Sequence, residues 1–179
     1  GGVDDPAQTG EGLLELLAAA RFDSLILPAL SDGALRFESQ SCRERARGGR
    51  LPWSRKEFRQ GEPFPETVLK ARERGLRPWA QIELLTGGRV DLPAPCLARM
   101  RPRWTQRNAL GRPSPIGADT ERLFLCPNFP EVPRLFSDIA VETVLRHPVT
   151  ALVLDARALR LPERPEEGLD CLCFACQEA

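Results

Sequence analysis

Apolar residues in the second half of the chain follow two spacings, one typical of a helix and one of a buried strand. Between residues 129 and 147 they recur every three or four positions, which predicts a helix with one buried face. The predicted buried face consists of Val132, Leu135, Phe136, Ile139, Ala140 and Val144. Pro148 marks the end of this helix. The apolar run at residues 149–154 then predicts a strand buried on both faces of a parallel sheet, and Asp155 ends it.

The same alternation of helix and strand occurs in the first half of the chain. The predicted elements are the end of a strand at residues 1–3, a helix at 9–20, a strand at 22–27, a helix at 65–74 and a strand at 76–84. Thr9 is the predicted N-cap of the first helix, and Gly75 ends the second. The apolar face of the first helix consists of Leu13, Leu14, Leu16 and Leu17. This order predicts an α/β fold with about four parallel strands and crossover helices.

Long polar segments follow the predicted strands, whereas the turns after the helices are short. Residues 28–61 and 86–120 are such segments, and the second includes a predicted short helix at 96–101. The arginines of the first segment are consistent with an anionic ligand, although a solvated basic loop is the favoured interpretation. In α/β proteins, elaborated loops at the carboxyl ends of strands form the substrate-binding face. We therefore expect binding residues at those strand ends.

The composition limits the classes of protein to which the chain can belong. Its 179 residues suffice for one core, so we predict a single domain over 1–179 with an irregular cysteine-containing tail at 155–179. The 25 basic residues balance the 25 acidic residues, which disfavours a nucleic-acid partner. No apolar run is long enough for a transmembrane segment. The compartment is left unassigned, and an extracytoplasmic or cell-envelope location is expected if a signal peptide precedes this segment.

Five stretches of the sequence, taken in order, suggest a family. They read TGEGLLELLAAARFDSLILPALSDGALRFES, PWSRKEF, ARERGLRPWAQIELL, RPRWTQRNALGRPSP and LCPNFPEVPRLFSDIAVETVLRHPVTALVLDARALRLP. This set resembles the glycosyl-hydrolase-like family 10 domain proteins, which are bacterial (β/α)-barrel proteins related to glycoside hydrolases. Arg103 stands where the family has an acid, a departure that weakens a catalytic role for that loop. The resemblance implies a glycoside hydrolase that acts on a polysaccharide, in which this chain is a partial (β/α) TIM-type barrel, the first half of a barrel in a longer chain. One of the two catalytic carboxyl groups often comes from a later strand, so this chain by itself is not expected to hold a complete active site.

Glycoside hydrolysis commonly uses two carboxyl groups on either side of the scissile bond, and it requires no cofactor. Asp155 is the first catalytic candidate because it ends a strand and matches the strand-ending Asp of the family. The alternative is a structural ion pair with Arg157 or Arg160. Glu83, near the end of an earlier strand, is the second candidate, although a structural or solvent-facing role is favoured for it.

Four further residues are candidates for substrate binding, each with a structural alternative. Asp32 belongs to an Asp-Gly turn signal, and Asn128 could instead cap the following helix. For Trp79 a core position is favoured, because its strand is predicted to be buried. Arg157 follows the candidate catalytic acid. His147 is the single histidine, which excludes a multi-histidine metal site, and we interpret it as a helix C-terminal residue favoured by the helix dipole.

The last nine residues contain the motif Cys-x-Cys-x-x-Cys, formed by Cys171, Cys173 and Cys176. Thiolates at this spacing are consistent with a structural zinc site, for which Cys126, Cys96 or a residue beyond the C-terminus would supply the fourth ligand. Reduced thiols or a disulfide are the favoured alternatives. Similar motifs follow the fourth strand in some barrel proteins related to glycoside hydrolases.

Two expectations concern the protein as a whole. A non-enzymatic glycan-binding or interaction module on the same fold is the alternative to a hydrolase, because barrels support many functions. Half a barrel would also leave strand edges and its inner surface uncovered. The isolated chain is therefore expected to self-associate.

Overall fold

The computed structural model describes residues 6–45, 63–91, 96–107, 110–113, 121–156, 171 and 173–178. Its helices are α1 (Pro6–Ala19), α2 (Gln40–Arg45), α3 (Pro63–Glu73), α4 (Leu97–Met100), α5 (Glu131–Arg146) and α6 (Phe174–Gln177), with a 3₁₀ turn at Pro102–Trp104. Its strands are β1 (Ser24–Ser31), β2 (Ala34–Leu35), β3 (Arg77–Glu83), β4 (Thr86–Arg89), β5 (Arg122–Phe124) and β6 (Ala151–Asp155). None of these helices is long and apolar enough to cross a membrane.

The main sheet has the strand order β2-β1-β3-β6. Strands β1, β3 and β6 run parallel, and β2 is antiparallel to β1. The connections from β1 to β3 and from β3 to β6 contain α3 and α5 respectively, so the parallel strands alternate with helices as the sequence predicts. The predicted strand at residues 1–3 lies outside the described residues. The chain thus has a mixed α/β fold with a parallel sheet.

Successive side chains of β3 point to opposite faces of the sheet. Pro78, Ala80 and Ile82 are buried, while Trp79 and Gln81 on the other face are partly exposed. Strand β6 is less buried than its apolar sequence predicts, since Leu154 is 53% exposed. The prediction of burial on both faces is wrong because β6 lies at the edge of the described sheet.

Helix α5 packs on the core through Val132, Leu135, Phe136 and Ile139, as the helical spacing predicts. The predicted burial of Val144 is wrong, because this side chain is 50% exposed. Glu142 and Thr143 are buried in the last turns of the helix instead. The Glu142 carboxylate accepts hydrogen bonds from Ser39 and Gln40 at the start of α2, so this side of the helix faces inward there.

Helix α1 differs in two ways from the prediction. It begins at Pro6, a residue suited to the first turn, so Thr9 lies inside the helix and is not its N-cap. Leu14 packs in a small cluster with Ala71 of α3 and Leu76, and Leu17 is partly buried beside it. The other two leucines, Leu13 and Leu16, are 54% and 65% exposed. The predicted four-leucine face is therefore wrong, because α1 contacts the domain over a narrow strip.

The polar segment after β3 contains more structure than the sequence indicates. Strands β4 and β5 form a separate antiparallel pair, in which Thr86 faces Phe124. The predicted short helix at 96–101 is confirmed as α4. Main-chain hydrogen bonds attach this region to the end of β3, since the Leu125 N–H donates to the Leu85 carbonyl at 2.8 Å.

Candidate functional site

Three of the predicted acidic residues lie at the carboxyl ends of neighbouring parallel strands. Glu83 ends β3 and is the register partner of Asp155, which ends β6. Asp32 follows the last residue of β1. Neighbouring strands are about 4.8 Å apart, so the three acids come from adjacent positions at one edge of the sheet. This edge is where α/β proteins bind their ligands.

The carboxylate of Asp155 is oriented by a side chain of the adjacent strand. The Gln81 amide Nε2 donates a hydrogen bond to Oδ2 of Asp155 at 2.8 Å. Gln81 and Glu83 lie two residues apart on β3, so they share a face of the sheet. Asp155 is half-buried, and its main-chain carbonyl accepts a hydrogen bond from Leu84 N–H at 2.8 Å. The side chain and the main-chain carbonyl of Asp155 are therefore both held by hydrogen bonds from β3 and the residue that follows it.

The Glu83 side chain is 9% exposed and supports the turn after β1. Its Oε2 accepts a hydrogen bond from the main-chain N–H of Asp32 at 2.8 Å. Asp32 and Gly33 have positive φ angles of 47° and 66°, as in a two-residue type I′ hairpin between β1 and β2. The turn interpretation of the Asp-Gly pair is confirmed. Glu83 thus has a structural contact in addition to its place at the site.

Asp32 also faces a basic residue that the sequence analysis did not select. Its Oδ1 lies 3.8 Å from Nε of Arg122, the first residue of β5. The Oδ1 atom is buried and has no hydrogen-bond partner among the described residues. Arg122 was missed because nothing in the local sequence indicates that β5 approaches the β1–β2 turn.

Trp79 lies on the same face of β3 as Gln81 and Glu83, beside Ile26 and Ala151. It precedes Glu83 by four positions, which corresponds to about 13 Å along a strand. It is partly exposed, so the favoured core interpretation is only partly correct. The last substrate-binding candidate of the sequence analysis, Arg157, lies outside the described residues.

A second cluster brings together four of the six cysteines. They are Cys126, Cys171, Cys173 and Cys176, and all four Sγ atoms lie within 4.8 Å of one another. The Sγ atoms of Cys126 and Cys176 are 3.3 Å apart, and the structure contains these residues as free cysteines. Burial raises the pKa of the Cys126 thiol above its usual range, and this outweighs the opposing hydrogen bond with the Asn128 main chain. Of the three predicted sources of a fourth ligand, which are Cys126, Cys96 and a residue beyond the C-terminus, the structure places Cys126 in the cluster.

Asn128 belongs to this cysteine cluster. Its amide Nδ2 donates to the Sγ atom of Cys176 at 3.3 Å. The helix-cap alternative for Asn128 is wrong, because Pro130 is the N-cap of α5 and no side chain caps that helix. A second donor, the main-chain N–H of Arg107, lies 3.4 Å from Sγ of Cys171.

Glu142 is a buried acid that the sequence analysis missed, and it joins α5 to the start of α2. Its carboxylate accepts hydrogen bonds from Ser39 Oγ at 2.5 Å, Gln40 N–H at 2.7 Å and Ser41 N–H at 3.2 Å. Arg146 adds an ion pair at 2.7 Å. Burial alone would raise the pKa of Glu142, but these partners together outweigh it and lower the pKa to about 2. The sequence signal was weak: a single acid next to an apolar stripe.

His147 packs between two aromatic rings. Its ring centroid is 4.8 Å from that of Phe37 and 5.3 Å from that of Phe64, both edge-on. Burial lowers the pKa of His147, and the nearby Arg146 lowers it further, although Glu142 opposes them. The predicted position is confirmed, since His147 is the C-cap residue of α5. Its burial, however, favours the neutral ring and so opposes the positive charge that the helix dipole would favour.

Comparison with known proteins gives matches at the level of structure only. No protein-family model matches the sequence, and no curated protein matches it either. A hypothetical protein from Ruminiclostridium thermocellum is similar, with a TM-score of 0.62 and 14% identity over 96% of this chain and 82% of that one. The GH36 α-galactosidase AgaA from Geobacillus stearothermophilus, crystallised with stachyose, gives a TM-score of 0.53 at 18% identity.

The match to AgaA covers 84% of this chain and 19% of the galactosidase. The maltogenic α-amylase AmyB from Thermotoga neapolitana gives a TM-score of 0.55 at 15% identity, over 86% of this chain and 35% of that one. The chain thus spans about a fifth of the first enzyme and about a third of the second. These similarities show a fold related to that of glycoside hydrolases. The more specific resemblance to glycosyl-hydrolase-like family 10 stays a prediction.

Proposed function

We propose that this chain is part of a glycoside hydrolase and binds a polysaccharide at the carboxyl ends of β1, β3 and β6. The observation that carries the proposal is the pairing of Glu83 with Asp155 at the ends of neighbouring parallel strands. The fold similarity to an α-galactosidase and an α-amylase supports the carbohydrate class of substrate. The strand order β1-β3-β6 with helical crossovers supports a partial (β/α) barrel.

The proposed reaction is hydrolysis of an O-glycosyl bond by carboxyl groups. Directly opposite residues on adjacent strands have Cβ atoms about 5 Å apart, which is compatible with the separation of about 5 Å between the carboxyl groups of retaining glycosidases. Asp155 is the proposed reacting group, since its Oδ2 is oriented by a neutral amide. Glu83 is the proposed partner carboxylate.

Polar groups near this pair are suited to sugar hydroxyls. The Gln81 amide adds a hydrogen-bond donor at the same edge of the sheet, and Asp32 is a further proposed contact at the end of β1. A few convergent polar groups of this kind fix the orientation of a ligand in a binding site. Trp79 and Arg157 are further proposed contacts.

One observation favours the second candidate function, a glycan-binding module without catalysis. Oε2 of Glu83 is engaged by the main chain of Asp32, and the side chain is 9% exposed. A carboxylate held in this way supports a turn and is poorly placed to act on a substrate. In that case Asp155 and Gln81 would contact sugar without a second reacting acid.

The test is hydrolysis and binding of defined oligosaccharides by the full-length protein and by its Asp155→Asn variant. We expect the variant to lose hydrolysis by about 100-fold or more while still binding the sugar. Asp23→Asn is the matched control, because exposed Asp23 precedes β1 at the opposite end of the sheet. Binding without hydrolysis in the wild type, weakened by Asp155→Asn, would instead support the module. If the wild type and Asp155→Asn hydrolyse and bind the sugar equally well, Asp155 has neither the catalytic nor the binding role.

A further inference from the structure

The four clustered cysteines come from two distant parts of the chain. Cys126 follows β5 and precedes α5, whereas Cys171 and Cys173 precede the short helix α6 and Cys176 lies in it. Cys126 and Cys176 are 50 positions apart in sequence, yet their Sγ atoms are 3.3 Å apart. Local chain geometry therefore does not account for the cluster. The fold itself assembles it.

The distances between the sulfur atoms suit a shared metal ion better than a disulfide. A disulfide requires about 2.05 Å between its two sulfurs. Four thiolates about 2.3 Å from a tetrahedral Zn²⁺ would be about 3.8 Å from one another. The Sγ atoms of Cys126 and Cys176 are 3.3 Å apart, and all four Sγ atoms lie within 4.8 Å of one another. Shifts of less than about 1 Å per sulfur would thus complete a tetrahedral site.

Two N–H groups are directed at the sulfur atoms. They are the main-chain N–H of Arg107, which donates to Cys171, and the Asn128 amide, which donates to Cys176. Donors around coordinating sulfurs stabilise the negative charge that thiolates carry when they bind a metal, and they hold the ligands in position. Cys126 and Cys173 are each 1% exposed, which shields the centre of the cluster from water.

We propose that Cys126, Cys171, Cys173 and Cys176 bind a single Zn²⁺ ion as a structural four-thiolate site. Thiolate ligands select zinc over hard cations such as Mg²⁺ or Ca²⁺, and four protein ligands leave no open position for catalysis. The ion holds the C-terminal segment against the turn that precedes α5. Helix α6 has only four residues and is too short to be stable by its own hydrogen bonds. The metal supplies the missing stabilisation.

The experiment measures metal content and cobalt spectra of the full-length protein purified under reducing conditions. We expect about one zinc per chain. After removal of zinc, Co²⁺ should give the intense visible bands of tetrahedral cobalt bound to sulfur. Cys126→Ser should weaken metal binding by about 100-fold or more. Cys96→Ser is the matched control, because Cys96 is also buried, at 4% exposure, but lies outside the cluster. It should bind metal like the wild type.

A second measurement avoids dependence on whether Cys126→Ser folds. Zinc should protect the four cluster cysteines of the wild type from alkylation, as mapped by mass spectrometry, and a chelator should remove this protection. Wild-type protein without bound zinc and without a cobalt–sulfur spectrum would overturn the proposal. A disulfide within the cluster, or unchanged zinc affinity in folded Cys126→Ser, would also overturn it. One equivalent of iron in place of zinc would overturn the choice of metal.

Discussion

Replacing Glu142 with glutamine removes a buried negative charge while keeping the size of the side chain. The Glu142 carboxylate holds the start of α2 through Ser39, Gln40 and Ser41, and it pairs with Arg146 of its own helix. The glutamine amide has one acceptor oxygen, so at least one of these donors loses its partner. A buried donor without a partner costs about 1–3 kcal/mol. We therefore expect Glu142→Gln to destabilise the fold at neutral pH.

The size of the effect follows from the pKa of Glu142. This pKa is lowered from the ordinary glutamate value of 4.5 to about 2, and the side chain is only 7% exposed. This lowering of the pKa corresponds to about 3 kcal/mol of stability at pH 7. Because the folded-state pKa is the lower one, this stability is present above pH 4.5 and is lost as the pH falls toward 2. Near pH 3 less than half of this stability would be left.

The assay is urea unfolding of wild type and Glu142→Gln at pH 7 and pH 3, followed by circular dichroism. Urea is preferred to guanidinium, which would screen the ion pair. Both proteins lose stability below the ordinary pKa of His147, because its pKa is lowered by burial. This loss largely cancels in the difference between them. Glu131→Gln is the control, since Glu131 is exposed on the same helix, and we expect it to change stability by less than about 1 kcal/mol.

The reasoning about Glu142 would be refuted by either of two results. The first is a loss in the free energy of unfolding of Glu142→Gln at pH 7 that is no larger than the loss of the exposed control Glu131→Gln. The second is a penalty of the same size at pH 3 as at pH 7, which would mean that the charge contributes nothing. A penalty that shrinks by about half or more between the two conditions supports the reasoning.

Two further predictions concern the turn after β1 and the open face of the sheet. Gly33→Ala should destabilise the fold by about 1–3 kcal/mol more than Gly75→Ala in the same unfolding assay. Both glycines have positive φ angles, but of the two only Gly33 is placed so that an added Cβ atom would meet a backbone oxygen, at 2.2 Å. Equal losses of stability in the two variants would contradict this reasoning. The isolated chain should associate through the sheet face that bears Ile26, which is 52% exposed. Light scattering should show less association for Ile26→Ser than for the control Leu145→Ser, because Leu145 is also exposed but lies on α5. A wild-type chain that is a monodisperse, cooperatively unfolding monomer would contradict the predicted association.

The sequence predicts features that depend on local spacing or on a general rule of topology. The helical period locates α5, and the Asp-Gly pair locates the turn at Asp32. The rule that strands of a parallel sheet end at one edge places Glu83 beside Asp155, and the structure has them as register partners. These inferences require no knowledge of which distant segments meet.

Features that depend on long-range contact could not be predicted in this way. Ser39 and Glu142 are 103 positions apart, and nothing local marks their hydrogen bond. A single acid beside an apolar stripe resembles an ordinary surface residue, so Val144 was assigned to the core in its place. Strand β4, with the sequence TGGR, has no alternation of apolar and polar residues by which it could be recognised.

The cysteine cluster depends both on local spacing and on long-range contact. The spacing of the C-terminal motif marks three ligand candidates, but it does not distinguish Cys126 from Cys96 as the fourth. The fold brings Cys126, and not Cys96, to the motif. The Leu125 N–H donates to the Leu85 carbonyl, and this hydrogen bond places Cys126 just beyond the end of β3. Leu84, one residue earlier, donates to the main chain of Asp155. A metal ion bound to Cys126 would therefore brace the same short segment that holds the candidate acid, so the cysteine cluster and the carboxylates share a structural support.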